Sequence, residues 1–320
     1  MPSLKAIRKR IVSVKNTKKI TAAMKLVAGA RLRRAQDGII AARPYASRLS
    51  DVIAELAARA DVNSVPDEEL SQPLEPMQED MSEERKRRYP VVKAAKLLLN
   101  RRDEKRVAVV LLTSDRGLCG GFNSNLNRRT ERFIADNADV FDSVTLNIVG
   151  KKGREYFKRK KVEIKREWSA PAVATVALER AREIASAVTA DFLAGQVDAV
   201  YIVYNEFKSA ISQRVAVEPL LPVRPTPLDE AHGKIDFKYE PSREAILAHI
   251  VPLHVEVQIY RAILESIASE FGARMSAMDS ATKNASEMIS SLTLQFNRAR
   301  QAAITKELME IIGGAEALKG

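Results

Sequence analysis

The sequence predicts an α/β plus coiled coil fold, a long antiparallel coiled coil of N- and C-terminal helices with an inserted Rossmann-like α/β domain. Three observations predict it. Both ends of the 320-residue chain carry long apolar stripes stepped by three and four, and the middle alternates β-branched apolar runs with helical stretches. Charge is also unevenly placed: residues 1 to 36 hold Lys5, Arg8, Lys9, Arg10, Lys15, Lys18, Lys19, Lys25, Arg31, Arg33 and Arg34 and no acid. Those eleven cations equal the whole formal excess of +11, so the remainder sums to neutral.

The N-terminal stripe reads Leu4, Ile7, Ile11, Val14, Thr17, Thr21, Met24, Ala28, Leu32, Ala35, Ile39, Ala42, Ala46, Leu49, Ile53 and Leu56. Two threes in succession after Val14 mark a local discontinuity, and Pro44 is a candidate bend. The expected unit is a coiled-coil helix over 1 to 58. The C-terminal stripe is Ile246, Ile250, Leu253, Val257, Tyr260, Leu264, Ile267, Phe271, Arg274, Met278, Ala281, Ala285, Met288, Leu292, Gln295, Ala299 and Ala302. Its strict four-three alternation predicts a coiled-coil helix in 242 to 320, capped near Ser242, with Pro252 in its first turns and its end at Gly313 and Gly314. About 70 helical residues make a rod on the order of 100 Å.

Between the helices, runs at 107 to 114, 144 to 149, 162 to 168, 199 to 207 and 214 to 223 read as strands. Helical stretches near 125 to 137, 152 to 160 and 173 to 195 separate the first four, which argues a mostly parallel sheet in a domain over 107 to 225. Residues 59 to 106 mix acids, a basic run and four prolines and read as a charged insertion or linker with room for one short helix. A second linker is expected over 226 to 241.

Composition removes several classes. No apolar run approaches the roughly 18 residues that cross a bilayer. The single Cys119 excludes an internal disulfide framework, a four-cysteine zinc site and a dithiol switch, and fits a reducing compartment. An Arg-rich, acid-free N-terminus also describes a transit peptide, but serines are few and the apolar stripe runs past any cleavage region.

The loop from Ser114 to Asn123, containing Gly117, Gly120 and Gly121, follows the first strand and precedes a helix, where an α/β protein can hold phosphate. It lacks a GK[ST] ending and GxGxxG spacing, so it reads as a structural turn and no cofactor is expected. Cys119 has no adjacent base, since His232, His249 and His254 lie far along the chain. His249 and His254 are five apart and share a helical face poorly for metal binding, so neither metal nor catalysis is expected. The alternative function is a basic coiled-coil nucleic-acid-binding protein: helical cations can neutralise phosphates, although residues 1 to 44 contain no aromatic residue to stack on bases.

The assembled residues resemble the gamma subunit family of F-type ATP synthases. The opening helix matches at Ile7, Arg8, Ser13, Val14, Asn16, Thr17, Lys19, Ile20, Thr21 and Met24, on to Arg43, Pro44 and Tyr45. The turn from Ser114 to Asn123 resembles the family's central motif, and Ile304 to Ala315, preceded by Asn297 to Gln301, resembles its C-terminal signature. The resemblance covers the chain except about 60 to 105. It implies a non-catalytic central-stalk rotor whose coiled coil stands inside a ring of alternating alpha and beta subunits. The foot would meet the epsilon subunit and the membrane ring of c subunits, on the cytoplasmic face of a bacterial inner membrane, coupling proton flow to ATP synthesis.

By the same resemblance, Arg300 and Gln301 meet an acidic loop of beta, with Thr305 and Glu307 beside them. Met24, Lys25 and Arg274 fall in the coupling region, and for Arg274 a polar residue in an apolar seam equally sets helix register. The largely apolar tip of Leu308, Met309, Ile311, Ile312, Ala315 and Leu318 suits a bearing, because non-directional contact permits turning. Chloroplast-type members carry a cysteine pair for redox control, which one cysteine cannot supply.

Overall fold

In the computed structural model the described residues are 3–59, 93–171, 173–210, 212–224, 240 and 243–317. The expected cap Ser242, residues 60 to 92 of the expected insertion 59 to 106, the expected linker 226 to 241 apart from Glu240, and Leu318 lie outside them. The chain divides into two compact units, one of Met1–Ala30 with Arg274–Gly320 and one of Arg31–Ala273.

Helix α1 spans Leu4–Arg59, and the C-terminal helix spans Arg243–Ala317. Both continue through an internal proline, Pro44 and Pro252, at exposed positions. Along α1 the predicted stripe is buried at Ile7, Thr21, Ala28, Leu32, Ala35, Ile39, Ala46, Leu49, Ile53 and Leu56, while Thr17 is exposed. The sequence expectation that the second helix stops at Gly313 is overturned, since it runs to Ala317. Neither glycine takes a positive φ and nothing lies within 4 Å of a Cβ built on either. With no capping partner there, continuing through glycine costs only about 1 kcal/mol per residue, and Ala315 and Ala317 favour helix.

The C-terminal stripe also drifts. Met288 is 45% exposed and Gln295 is exposed, while Ile289 and Phe296 are half-buried. A straight helix of 3.6 residues per turn moves about 20° per heptad away from a strict repeat of seven, so the buried line passes to the neighbouring apolar position.

Within the Arg31–Ala273 unit lies a five-stranded sheet of order β3-β2-β1-β4-β5. Its strands are β1 (Arg106–Leu112), β2 (Ser143–Val149), β3 (Glu163–Trp168), β4 (Ala199–Phe207) and β5 (Gln213–Leu221). The first four are mutually parallel, and β5 pairs antiparallel to β4. Helices α2 (Phe122–Asp136), α3 (Lys151–Phe157) and α4 (Ala174–Leu193) supply the crossovers, so the C-terminal helix is α5.

Alternation places Val107, Val109 and Leu111 of β1 on one face, in a core with Leu146, Ile148, Phe122, Leu126 and Phe157. Helix α4 buries Ala177, Ala181, Ile184, Val188 and Phe192, the spacing of a single helical stripe. Residues 93 to 99 are also helical, with Leu97 and Leu98 fully buried, and Val223 N donates to Leu98 O at 2.8 Å. That bond joins the segment entering the domain to the one leaving it.

Part of α5 packs in the same unit. Ser269 Oγ donates to Asn205 O of β4 at 3.0 Å. Arg261 Nη2 donates to Tyr204 Oη at 3.2 Å and to Glu218 Oε2 at 2.8 Å. A Cβ on Gly272 would lie 3.1 Å from Ala210 O, so a small residue is needed where α5 passes the β4–β5 turn.

Candidate partner-contact surfaces

Three regions carry the residues predicted to matter, and each belongs to one unit. The first is the end of α5. Arg300, Gln301, Thr305 and Glu307 are all exposed there. Beyond them Leu308 is 55%, Met309 62%, Ile311 72% and Ile312 53% exposed, joined by Ile304 at 56%. Every residue from 304 to 314 is exposed, so this helix end gains nothing from packing and presents large apolar side chains to its surroundings. Ala315 lies within the helix. Lys306 and Glu310 form an exposed i,i+4 pair at 3.5 Å, which supports the helix weakly.

The second region joins the two helices within the Met1–Ala30 and Arg274–Gly320 unit. Thr21 Oγ1 and Thr282 Oγ1 are 2.8 Å apart, and Thr282 Oγ1 donates to Met278 O at 2.7 Å. Lys25 Nζ donates to Asp279 Oδ1 at 2.7 Å, while Lys283 Nζ approaches Asp279 Oδ2 at 3.2 Å. Hydrogen bonds from Lys25 and then Lys283 hold the Asp279 carboxyl below the usual carboxylate range. A Cβ on Gly29 would lie 3.5 Å from Met275 Sδ. Paired positions rise on one helix as they fall on the other, which is antiparallel pairing. Met24 is half-buried and Arg274 is buried in this unit.

The third region is the glycine turn. Leu118 and Gly120 both adopt positive φ, 64° and 56°, whereas Gly117 and Gly121 do not. Leu118 is 65% exposed, and Cys119 beside it is buried. The turn satisfies its own polar groups: Asn123 Oδ1 accepts from Ser114 N at 3.0 Å, Asn123 Nδ2 donates to Ser114 Oγ at 2.9 Å, and Ser114 Oγ donates to Arg116 O at 2.7 Å. Asn123 Nδ2 also points at Cys119 Sγ, 3.3 Å away. Two residues whose roles sequence reasoning missed lie within it and just before it. Asp115 Oδ1 accepts from Lys151 N at 3.0 Å and Ala170 N at 3.3 Å, tying the connections after β1, β2 and β3 together. Thr113 Oγ1 donates to Val149 O at 2.9 Å and accepts from Gly153 N at 2.9 Å. An aspartate three residues past β1, at the start of the glycine turn, was the available signal for Asp115.

Among the described residues no group of three or more His, Cys, Asp or Glu side chains could hold a metal ion. His254 is held neutral, its pKa lowered to about 4 by burial and then by Arg261. Among the described residues no helix is long and apolar enough to cross a membrane.

Chains of solved ATP synthases share this architecture. The Euglena gracilis mitochondrial ATP synthase, solved as OSCP, F1 and c-ring, contains a chain matching with a TM-score of 0.61 at 19% identity, over 98% of this chain and 94% of that one. A chain of the Tetrahymena thermophila mitochondrial ATP synthase central stalk and c-ring matches with a TM-score of 0.54 at 24% identity, over 82% and 99%. The class is therefore the central-stalk fold. At the sequence level, the family model described as ATP synthase matches residues 3–318. ATP synthase gamma chains from Anaeromyxobacter sp. (strain K) and Geobacter sp. (strain M21) are 52% and 44% identical, each over 100% of both chains. The chain belongs to the ATP synthase gamma chain family. Members are non-catalytic subunits of the synthase, and nothing in these relationships supports the nucleic-acid alternative.

Proposed function

We propose that the chain is the rotor of a proton-translocating F-type ATP synthase, turning inside the ring of alpha and beta subunits and so driving each catalytic beta subunit through its conformations. The single observation that carries this reading is the 52% identity to a gamma chain across the whole of both chains. Coupling of this kind needs only that each rotor position favour one state of a beta subunit by differential contact. The exposed end of α5 fits that role. Arg300 and Gln301 supply directional hydrogen bonds to a carboxylate-bearing loop of beta, Arg300 being able to grip it bidentately. Thr305 and Glu307 lie beside them, and Leu308, Met309, Ile311, Ile312, Ala315 and Leu318 form an apolar bearing tip. Met24, Lys25 and Arg274 act in the coupling region further along the helix pair.

The α/β domain is the foot of the rotor, meeting epsilon and the c-ring, and Gly117, Gly120 and Gly121 shape its turn. The complex would sit on the cytoplasmic face of a bacterial inner membrane. Arg300→Ala with Gln301→Ala in the assembled complex tests the contact to beta. ATP hydrolysis and ATP-driven proton pumping, measured together, should both fall; unchanged values would remove Arg300 and Gln301 from the coupling contact.

A further inference from the structure

We infer that Lys25–Asp279 and Thr21–Thr282 form a two-point lock that fixes the axial register of α1 against α5, so that the two strands of the shaft cannot slide past one another. The use of that lock in transmitting torque rests on the rotor reading; the lock itself does not. Near these pairs the buried or closely approaching residues are small or pliable: Ala28, Met278 and Ala285 are buried, and Gly29 faces Met275. Methionine fills gaps without specifying them, and glycine or alanine offers no knob to seat in one hole only. At this level of the helix pair, packing specifies register weakly and the polar links specify it sharply.

The two links guard against different slips. If α1 moved one turn in one direction, Thr21 would face Ser286 and keep a hydroxyl partner, so the threonine pair would not oppose the move. In that register Lys25 would face Lys283, and like charges would. If α1 moved one turn the other way, Thr21 would face Met278 and Lys25 would face Met275, and both polar partners would be lost. Lys283 thus has two roles. In the observed register it approaches the other carboxylate oxygen of Asp279, Oδ2, at 3.2 Å, and in the slipped register it repels Lys25. The side chains of Lys25 and Asp279 are 45% and 34% exposed, so the pair adds little to stability. Its value lies in the contrast between registers, which is how charged and polar seam positions select one alignment in coiled coils.

The test reads register directly, in the full-length chain expressed with its natural partners. One reporter carries Thr21→Cys with Thr282→Cys and a second carries Thr21→Cys with Ser286→Cys; mild oxidation is followed by gel mobility of the looped chain. The first should close readily and the second stay near background. Adding Lys25→Glu reverses the contrast, because a carboxylate there repels Asp279 and attracts Lys283, and the Ser286 reporter should rise about threefold or more while the Thr282 reporter falls. Further addition of Asp279→Lys should restore the Thr282 reporter. Should Lys25→Glu reduce the amount of folded chain, Lys283→Glu asks the same question from the other helix and should raise the Ser286 reporter. Both reporters replace Thr21 and so read the Lys25–Asp279 link alone; unchanged yields in these variants show that it does not set register and overturn the lock. If yields move as expected while Arg300→Ala with Gln301→Ala leaves pumping normal, the lock stands and the proposed contact to beta fails.

Discussion

A Cβ added to Gly150 would lie 2.3 Å from the carbonyl oxygen of Thr113, at a residue whose φ is 97°. The two residues hold the ends of β1 and β2 against each other beneath the glycine turn, and Gly150 N donates to Trp168 O of β3 at 2.8 Å. Any side chain there meets backbone, which cannot swing aside, and must also adopt a left-handed conformation. Gly150→Ala is expected to lower stability by roughly 2–4 kcal/mol. Urea unfolding of the full chain followed by the fluorescence of Trp168, the one tryptophan, measures it.

This glycine shows where the sequence stopped being legible. The strands, helices and paired stripes were visible because burial repeats with a fixed period, and a period survives in one sequence. Gly117, Gly120 and Gly121 drew attention as a cluster, yet of the three only Gly120 takes a positive φ. Gly150 stands alone in sequence, and its neighbour Thr113 is 37 positions away, so no local pattern exposes the contact. The same reason hid Asp115, whose partners Lys151 and Ala170 come from two other connections. At the end of α5 the opposite held: Arg300 and its neighbours were singled out by family resemblance, and the structure adds only that they are exposed.

A second expectation concerns Asp198, which lies at the start of the β4 region and accepts from Arg106 N at 2.8 Å, Nε at 3.1 Å and Nη2 at 2.6 Å. Burial alone would raise its pKa, but the hydrogen bonds from the Arg106 side chain and backbone outweigh burial and hold it below the usual carboxylate range. A depressed folded pKa contributes stability above the unfolded value of about 3.9 and loses it as pH falls through the folded value. Asp198→Asn should cost about 1–3 kcal/mol at neutral pH. The difference from the parent should shrink in denaturation curves taken below that range, and a gap constant down to strong acid would contradict the assignment.

Glu265 predicts the opposite sign. It is buried at 4% exposure on α5, and its Oε2 has no hydrogen-bond partner among the described residues. Burial raises its pKa, countered in part by Arg261 and the Phe207 backbone. A raised folded pKa means that ionisation opposes folding, so the stability associated with the protonated acid is lost as pH climbs above the ordinary glutamate value of about 4.3. Glu265→Gln should raise the urea midpoint at neutral pH and leave it close to the parent near pH 4. A lower midpoint at pH 7 would show that the carboxylate is satisfied in place.

At the tip, the proposed contact with a partner can be told apart from contact within the chain. Leu308→Ser with Ile311→Ser removes side chains that bury nothing, so the stability of the isolated chain should change by no more than about 0.5 kcal/mol per site. Leu126→Ala, at a fully buried position in the sheet core, should cost about 2–5 kcal/mol. Comparing denaturation of the two variants with their recovery in the assembled complex distinguishes the roles. The tip variant should unfold normally and assemble poorly.

Residues 304 to 314 form three helical turns with no neighbour against them. As the unpacked end of a 75-residue helix this stretch needs no nucleus of its own, but no packing holds it and two glycines weaken it. On the rotor reading proposed above, enclosure in a sleeve would add the rigidity that packing within the chain does not supply, with apolar contact offsetting the ordering entropy. Insertion would then complete the ordering of this end of the chain.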